Sequence, residues 1–248
     1  MWGPNSNHYG EDMETLRVGA AFPDPPFNGM PHGRGLDVDL MEAIAEKLGA
    51  TVEFIPYDGA DFNGIFDGLG SEYDCVAAGT TVTPEREKLA SFVPPYLISG
   101  QSLAVDTKRL PHVTSIDDLE GLTIGVQQGN TSQPIAERLV ADGKAAAVRV
   151  YDYGSIRTAL TDLTTGACDA FMKLAPVLTE LVKPIPGVEV VQRNISVENI
   201  AIAVPLTDLA LLSRLTVAQA ELEDDGTLQR IRGKWLGNPY ADQSLGVL

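Results

Sequence analysis

Apolar positions in this chain fall into short runs of alternating or continuous character, separated by longer stretches of helical spacing. Residues 16–20 read as a strand, stopped by Pro23, Pro25 and Pro26. Val38, Met41, Ile44, Ala45 and Leu48 recur at helical spacing, with Asp37 placed to cap that helix and Gly49 to end it. Residues 51–55 alternate as a strand, and 75–78 form another. Thr83 followed by Pro84 signals a helix start, with a capping residue and then proline at the first helical position.

The second half repeats this rhythm. Strands are expected at 123–126, 148–150, 170–172, 188–191 and 200–204. Between them lie helical stripes at Ile135, Ala136, Leu139 and Val140, at Ile156, Ala159, Leu160 and Leu163, and at Val177, Leu178, Leu181 and Val182. A long stripe through Leu211, Leu215, Ala218 and Leu222 stops at Gly226, and a short one follows at Leu228, Ile231 and Trp235. Such alternation predicts an α/β fold with mainly parallel sheets. Residues 66–76 resemble 160–170: each reads as a helix end, a glycine-bearing turn, an Asp/Cys pair and a strand. Two lobes of related topology are therefore expected, with Cys75 and Cys168 in different lobes and not paired.

Composition narrows the function. The 248 residues carry 18 Lys and Arg against 34 Asp and Glu, a formal charge of −16. A field of that sign repels phosphate backbones and anionic lipid, so no nucleic-acid partner is expected. Apolar residues make up 44% and charged residues 21%, a globular profile. Residues 1–14 are polar, lack the apolar segment of a secretory signal, and are expected to form a flexible leader. On this ground alone the chain is either cytoplasmic or a mature exported domain.

Signatures of common catalysis are missing: no Walker loop, no G-x-S-x-G, no complete G-x-G-x-x-G and no H-E-x-x-H. His8, His32 and His112 are scattered in loop-like contexts, so no metal and no cofactor is expected. Cys75 and Cys168 sit among apolar residues and read as buried inert thiols.

The positive signal is a pair of anion-binding turns. In the first, a strand enters residues 79–83 (Gly-Thr-Thr-Val-Thr) and a helix is expected from Pro84, offering free N–H groups and a positive dipole end. Arg86 in its first turn can grip a carboxylate with two bonds. A cation there opposes the dipole, so it needs a partner: a ligand or a neighbouring acid such as Glu85 or Glu87. The second turn, 126–132, again joins a strand to a helix start, and Asn130 or Thr131 alone would be an ordinary cap. Phe22, Phe27 and Phe62 lie near strand ends and could wall a pocket or serve as core.

The order of segments resembles the family 3 extracytoplasmic solute-binding proteins, the polar amino-acid receptors of bacterial ABC importers. The resemblance rests on 16–19 with Pro26 and Phe27, on 35–40 with 43–49, and on Tyr73 and Asp74. It continues through 79–86, 92–96, 119–126 with 129–131, Asp169 and Ala170, and 225–227 with 234–237. It implies a two-lobe periplasmic-binding-protein-like (type II) Venus-flytrap fold with two hinge strands. Residues 15–100 plus 197–248 would form lobe 1 and 101–196 lobe 2, the chain crossing near 99–103 and 194–200. It implies capture of a small carboxylate-bearing solute, an amino acid or derivative, by lobe closure, with an ABC membrane permease as partner. It also implies an extracytoplasmic, monomeric protein without enzymatic activity.

By the same resemblance the carboxylate-binding arginine is Arg86, helped by the Thr81 hydroxyl and N–H groups near Gly79 and Thr81. Asn130 and Thr131 supply the second lobe's contact, and Phe62 stacks on the ligand, with Phe27 a structural neighbour. Two departures stand out. Family members place a carboxylate a few residues past Asp169 for the ligand's α-ammonium, and this chain has Lys173 and Leu174 there. Burying an ammonium without a counter-charge is costly. Either Asp24, Asp61 or Asp152 substitutes, or the ligand is not a common α-amino acid. An acid followed by an aromatic after the first strand is also missing: residues 20–24 read Ala-Ala-Phe-Pro-Asp, so Asp24 would have to supply any cationic side-chain specificity. Lys173 is either a rim lysine or a second anion contact. A sensor ectodomain, or a cyclohexadienyl-dehydratase-like lyase on the same fold, remains the alternative.

Overall fold

The computed structural model describes residues 14–237. Residues 1–13 of the expected leader, with His8, and residues 238–248 lie outside it. In chain order the elements are β1 (Thr15–Ala21), α1 (Leu36–Leu48), β2 (Thr51–Tyr57), β3 (Cys75–Val76), β4 (Ala90–Phe92), β5 (Leu97–Ser99) and β6 (Gln101–Asp106). They continue with β7 (Thr123–Gln127), α2 (Ser132–Ala141), β8 (Ala147–Tyr151), α3 (Ile156–Thr165), β9 (Ala170–Leu174), α4 (Ala175–Val182) and β10 (Val188–Gln192). The chain ends with β11 (Glu198–Ile200), β12 (Ala203–Pro205), α5 (Leu209–Asp224) and α6 (Thr227–Leu236).

Two five-stranded sheets result, in the orders β2-β1-β3-β12-β4 and β10-β6-β9-β7-β8. They are the same arrangement twice. Each has three parallel strands, β2-β1-β3 or β8-β7-β9, followed by one strand that runs antiparallel to both its neighbours, β12 or β6. The segments 66–76 and 160–170 end on equivalent strands, β3 and β9, each pairing in parallel with the middle strand of its parallel trio, β1 or β7. Cys75 and Cys168 are buried and free, one in each lobe. Burial raises both thiol pKa values, which keeps them inert.

Each sheet is covered on both faces. In lobe 1 the α1 residues Leu40, Met41 and Ile44 pack with Leu215 and Leu222 of α5 over one face, and Phe62, Ile65 and Phe66 cover the other. In lobe 2 α2 and α3 cover opposite faces. Leu174 and Val177 of lobe 2 join the lobe 1 cluster, so the lobes touch through apolar contacts. A two-stranded antiparallel ribbon, β5 with β11, joins them.

Three local expectations are corrected. Asp37 does not cap α1; Gly35 holds that position, and Asp37 lies in the first turn with its carboxylate turned inward. The run 200–204 is not one strand. It is divided between β11 in the hinge and β12 in the lobe 1 sheet, because residues 80–82 bond to residues 199–201 between them. The helix expected from Pro84 is one 3₁₀ turn, Arg86–Lys88. Extended pairing upstream (Val82 N–H to Asn199 O, 2.8 Å) and β4 beginning at Ala90 leave room for no more.

Candidate ligand-binding cleft

Between the lobes lies a contracted cavity with about 30 Å³ free, room for little more than water. Asp24, Phe62, Gly79, Thr81, Arg86, Asn130, Thr131 and Lys173 all line it, drawn from both lobes. Phe22 does not; it borders an adjacent, larger pocket. Phe27 is fully buried in the lobe 1 core, its ring packed against Gly79.

Arg86 dominates the lobe 1 wall. It is 5% exposed, yet its guanidinium donates only to neutral acceptors: Asn63 Oδ1 (3.1 Å), Thr81 O (2.9 Å) and Gly129 O (3.0 Å). The last bond crosses to lobe 2. The Phe62 ring lies 4.9 Å from the guanidinium carbon and Phe66 5.9 Å. Burial lowers the Arg86 pKa to about 10, opposed by the field of Glu198. It remains a cation at neutral pH, in position for an anion.

Gly79, expected to offer its N–H to a ligand, donates it to Asp37 Oδ2 (2.7 Å). The other Asp37 oxygen accepts from Tyr96 (2.6 Å). Burial raises the Asp37 pKa to about 7 against the pull of both hydrogen bonds. This buried carboxyl fixes the glycine turn and occupies the Gly79 N–H.

Glu198 was not singled out from the sequence. It stands at the start of β11, 6% exposed, and its carboxylate accepts four hydrogen bonds. The donors are Thr81 Oγ1 (2.6 Å), Thr131 Oγ1 (2.8 Å), Gln101 Nε2 (3.0 Å) and Ser196 Oγ (2.8 Å). One carboxylate in the hinge thereby ties lobe 1 to lobe 2. Its only signal in the sequence is an acid at the edge of a run otherwise expected to be buried. Thr131 occupies the N-cap position of α2, but its hydroxyl serves Glu198 rather than the helix.

The far end of the cavity holds a second cation. Lys173, 4% exposed, donates to Gln127 Oε1 (2.7 Å), and its nitrogen lies 3.7 Å from Asp24 Oδ1 and 5.5 Å from the Tyr153 ring centroid. The Tyr153 hydroxyl also faces Asp24 and favours its ionised form. Burial pushes the Asp24 pKa up and that of Lys173 down, each partly restored by the other. Lys173 is therefore an interior group rather than a rim residue. Of the other two acids considered as ammonium partners, Asp61 caps the 3₁₀ turn Phe62–Gly68 by accepting from Asn63 N–H (2.8 Å), and Asp152 is exposed.

Closure brings backbone into direct register. Phe62 N–H donates to Gln128 O (3.1 Å) and Tyr153 N–H to Ala60 O (2.7 Å), both across the cleft. Gly129 has φ +78°, and a Cβ there would meet Asp61 Oδ1 at 2.0 Å.

Two α/β lobes on a hinge ribbon, with buried polar groups converging between them, define a two-lobe solute-binding protein. The description "Bacterial extracellular solute-binding proteins, family 3" matches residues 16–238, and the chain belongs to that family. It is 30% identical over 231 residues to the putative ABC transporter arginine-binding protein 2 of Escherichia coli K12, covering 90% of each chain. Among solved structures it resembles an ancestral arginine-binding protein bound to arginine (TM-score 0.80, 38% identity, 90% of this chain and 98% of that one). It also resembles an ancestral amino acid-binding protein described as a precursor of cyclohexadienyl dehydratase (TM-score 0.78, 31% identity, 89% and 95%). Among the described residues no helix is long and apolar enough to cross a membrane.

Proposed function

We propose that this chain is the receptor of an ABC importer and captures a small carboxylate-bearing solute, an amino acid or close derivative, between its lobes. The observation that carries this reading is Arg86: a buried guanidinium in the interlobe cavity, held only by neutral acceptors from both lobes. A ligand carboxylate replaces those acceptors with a two-bond ion pair. Closure then follows from the ligand's preference for the closed state. The hinge positions support a division into 15–100 plus 197–248 and 101–196.

The closed receptor docks as a monomer, outside the cytoplasm, on a membrane permease. The names of its relatives support an amino acid as ligand. No reaction is assigned: Asp24, the one carboxyl lining the cavity among the described residues, faces Lys173 and Tyr153 rather than standing free as a general acid. Adjoining permease genes would favour import, and a fused membrane helix would favour a sensor.

A thermal-shift screen of amino acids, betaines and small organic acids tests the reading. Ligand at about 100 times its Kd should raise the Tm by about 5–10 °C. Arg86→Ala should remove that shift and leave the unliganded fold intact. No shift with any carboxylate overturns it.

A further inference from the structure

Gripping one carboxylate leaves two features of the cavity without a role. The first is Lys173, a second buried cation on the same lining as Arg86. One donor serves Gln127 Oε1 at 2.7 Å and a second faces Asp24 in an ion pair at 3.7 Å. An ammonium has three donors, so Lys173 keeps capacity for a further acceptor. The second is Gln101 Oε1, on a residue 2% exposed that also lines the cavity, and without a hydrogen-bond partner. Its orientation is fixed because Nε2 donates to both Glu198 and Thr131. A buried unsatisfied acceptor is costly and calls for a donor.

From these we infer that the ligand is a net-anionic small dicarboxylate bearing a hydrogen-bond donor, an acidic amino acid or its hydroxy analogue, selected by Lys173 and Gln101. The inference rests on the proposed function and sharpens it. Arg86 holds the first carboxylate. Gln101 Oε1 receives the amino or hydroxyl group; Gln101 pairs with Leu174 in the sheet register, so this acceptor lies beside an apolar neighbour. Lys173 holds the second carboxylate. Asp24, Gln127 and Tyr153, the groups around Lys173, also border the adjacent pocket, about 510 Å³ in size, which Lys173 itself does not line.

Charge opposes the alternative. A cationic amino acid would bring two positive groups into a cavity already lined by Arg86 and Lys173. The one lining carboxylate, Asp24, already faces Lys173, and Glu198 behind the lining is filled by four donors. Selectivity here thus differs from that named for the arginine-binding relatives.

Calorimetric titration of the full chain with L-aspartate, L-glutamate, malate, succinate, L-alanine and L-arginine tests this. At least one of aspartate, glutamate and malate should bind tenfold or more tighter than arginine, and succinate, which lacks the donor, more weakly than malate or aspartate. Preference for aspartate over malate assigns the donor as an ammonium, and the reverse as a hydroxyl. The double variant Asp24→Asn/Lys173→Met, which buries no lone charge, should lose about ten- to hundredfold in dicarboxylate affinity relative to alanine. Lys173→Arg should keep most of that preference, and unliganded melting curves check that both variants fold. Arginine binding more tightly than every dicarboxylate, or an unchanged preference in the double variant, overturns the inference. If arginine binds through Arg86, the proposed function stands and only the selectivity falls; if no carboxylate binds, both fall.

Discussion

Each lobe sends one buried cation into the cleft from the segment at its third parallel strand, yet the two are held differently. Arg86 sits on a 3₁₀ turn beyond β3, and its acceptors are an amide oxygen and two carbonyls. Lys173 sits inside β9, facing Asp24 across the lobes. Arg86 thus awaits an external counter-charge, whereas Lys173 carries an internal one. On the proposed reading Arg86 is a ligand grip alone, whereas Lys173 is an interlobe tie that keeps one donor for the ligand.

Identical truncations should separate them. Lys173→Met leaves Asp24 buried beside a vanished partner, a change that costs about 3–5 kcal/mol. The unliganded Tm should fall by about 6–20 °C, and Asp24→Asn on top should restore much of it. Arg86→Met removes a buried cation that has no carboxylate, so the unliganded Tm should stay within a few degrees. Ligand affinity should instead fall by about a hundredfold or more, measured by calorimetry. If both substitutions lower the Tm alike, the contrast between the cations is wrong.

Gly129→Ala probes the contact rather than the charge. Its φ of +78° disfavours a side chain, and the added methyl meets Asp61 and Phe62 N–H across the cleft. The lobes should be propped apart, raising the radius of gyration in solution scattering. Affinity should fall by about tenfold; an unchanged radius would place the strain within the turn alone.

A separate effect concerns pH. The folded pKa of Asp37, about 7, lies above the ordinary value of about 4. Between those values the folded chain binds a proton that the unfolded chain has lost. The contribution of Asp37 to stability therefore falls as pH rises through that window, by at most about 1.4 kcal/mol per unit, and is flat above it. Urea unfolding at pH 4–8 should show wild type losing its advantage over Asp37→Asn across this range. A constant difference would mean that Asp37 ionises normally.

Most of the fold was legible because local periodicity and sheet position agree. The stripes of α2, α3 and α5 each face a core, and the repeated Asp/Cys turn marks equivalent strands. Elements set by distant pairing were not legible. Residues 80–82 carry a helix-start sequence nearby, but hydrogen bonds to 199–201 hold them extended. At the site, Arg86 announced itself as a cation against an expected dipole. Glu198, Gln101 and Tyr153 did not, because their role depends on closure bringing together residues as far apart in the chain as Thr81 and Glu198. Asp37 was misread for a related reason: a capping residue type close to a helix start was turned inward by Tyr96 and Gly79.

The placement of Glu198 bears on time as well as affinity. A solute enclosed on all sides leaves no faster than the lobes part, so its residence is governed by the opening rate. Opening must break the bonds from Thr81 or Thr131 to a carboxylate carried on the hinge itself. Glu198→Gln should therefore shorten residence in stopped-flow chase experiments while leaving the entry rate nearly unchanged. The hinge carboxylate would then act as the clock of the delivery cycle, setting how long a captured solute waits for release.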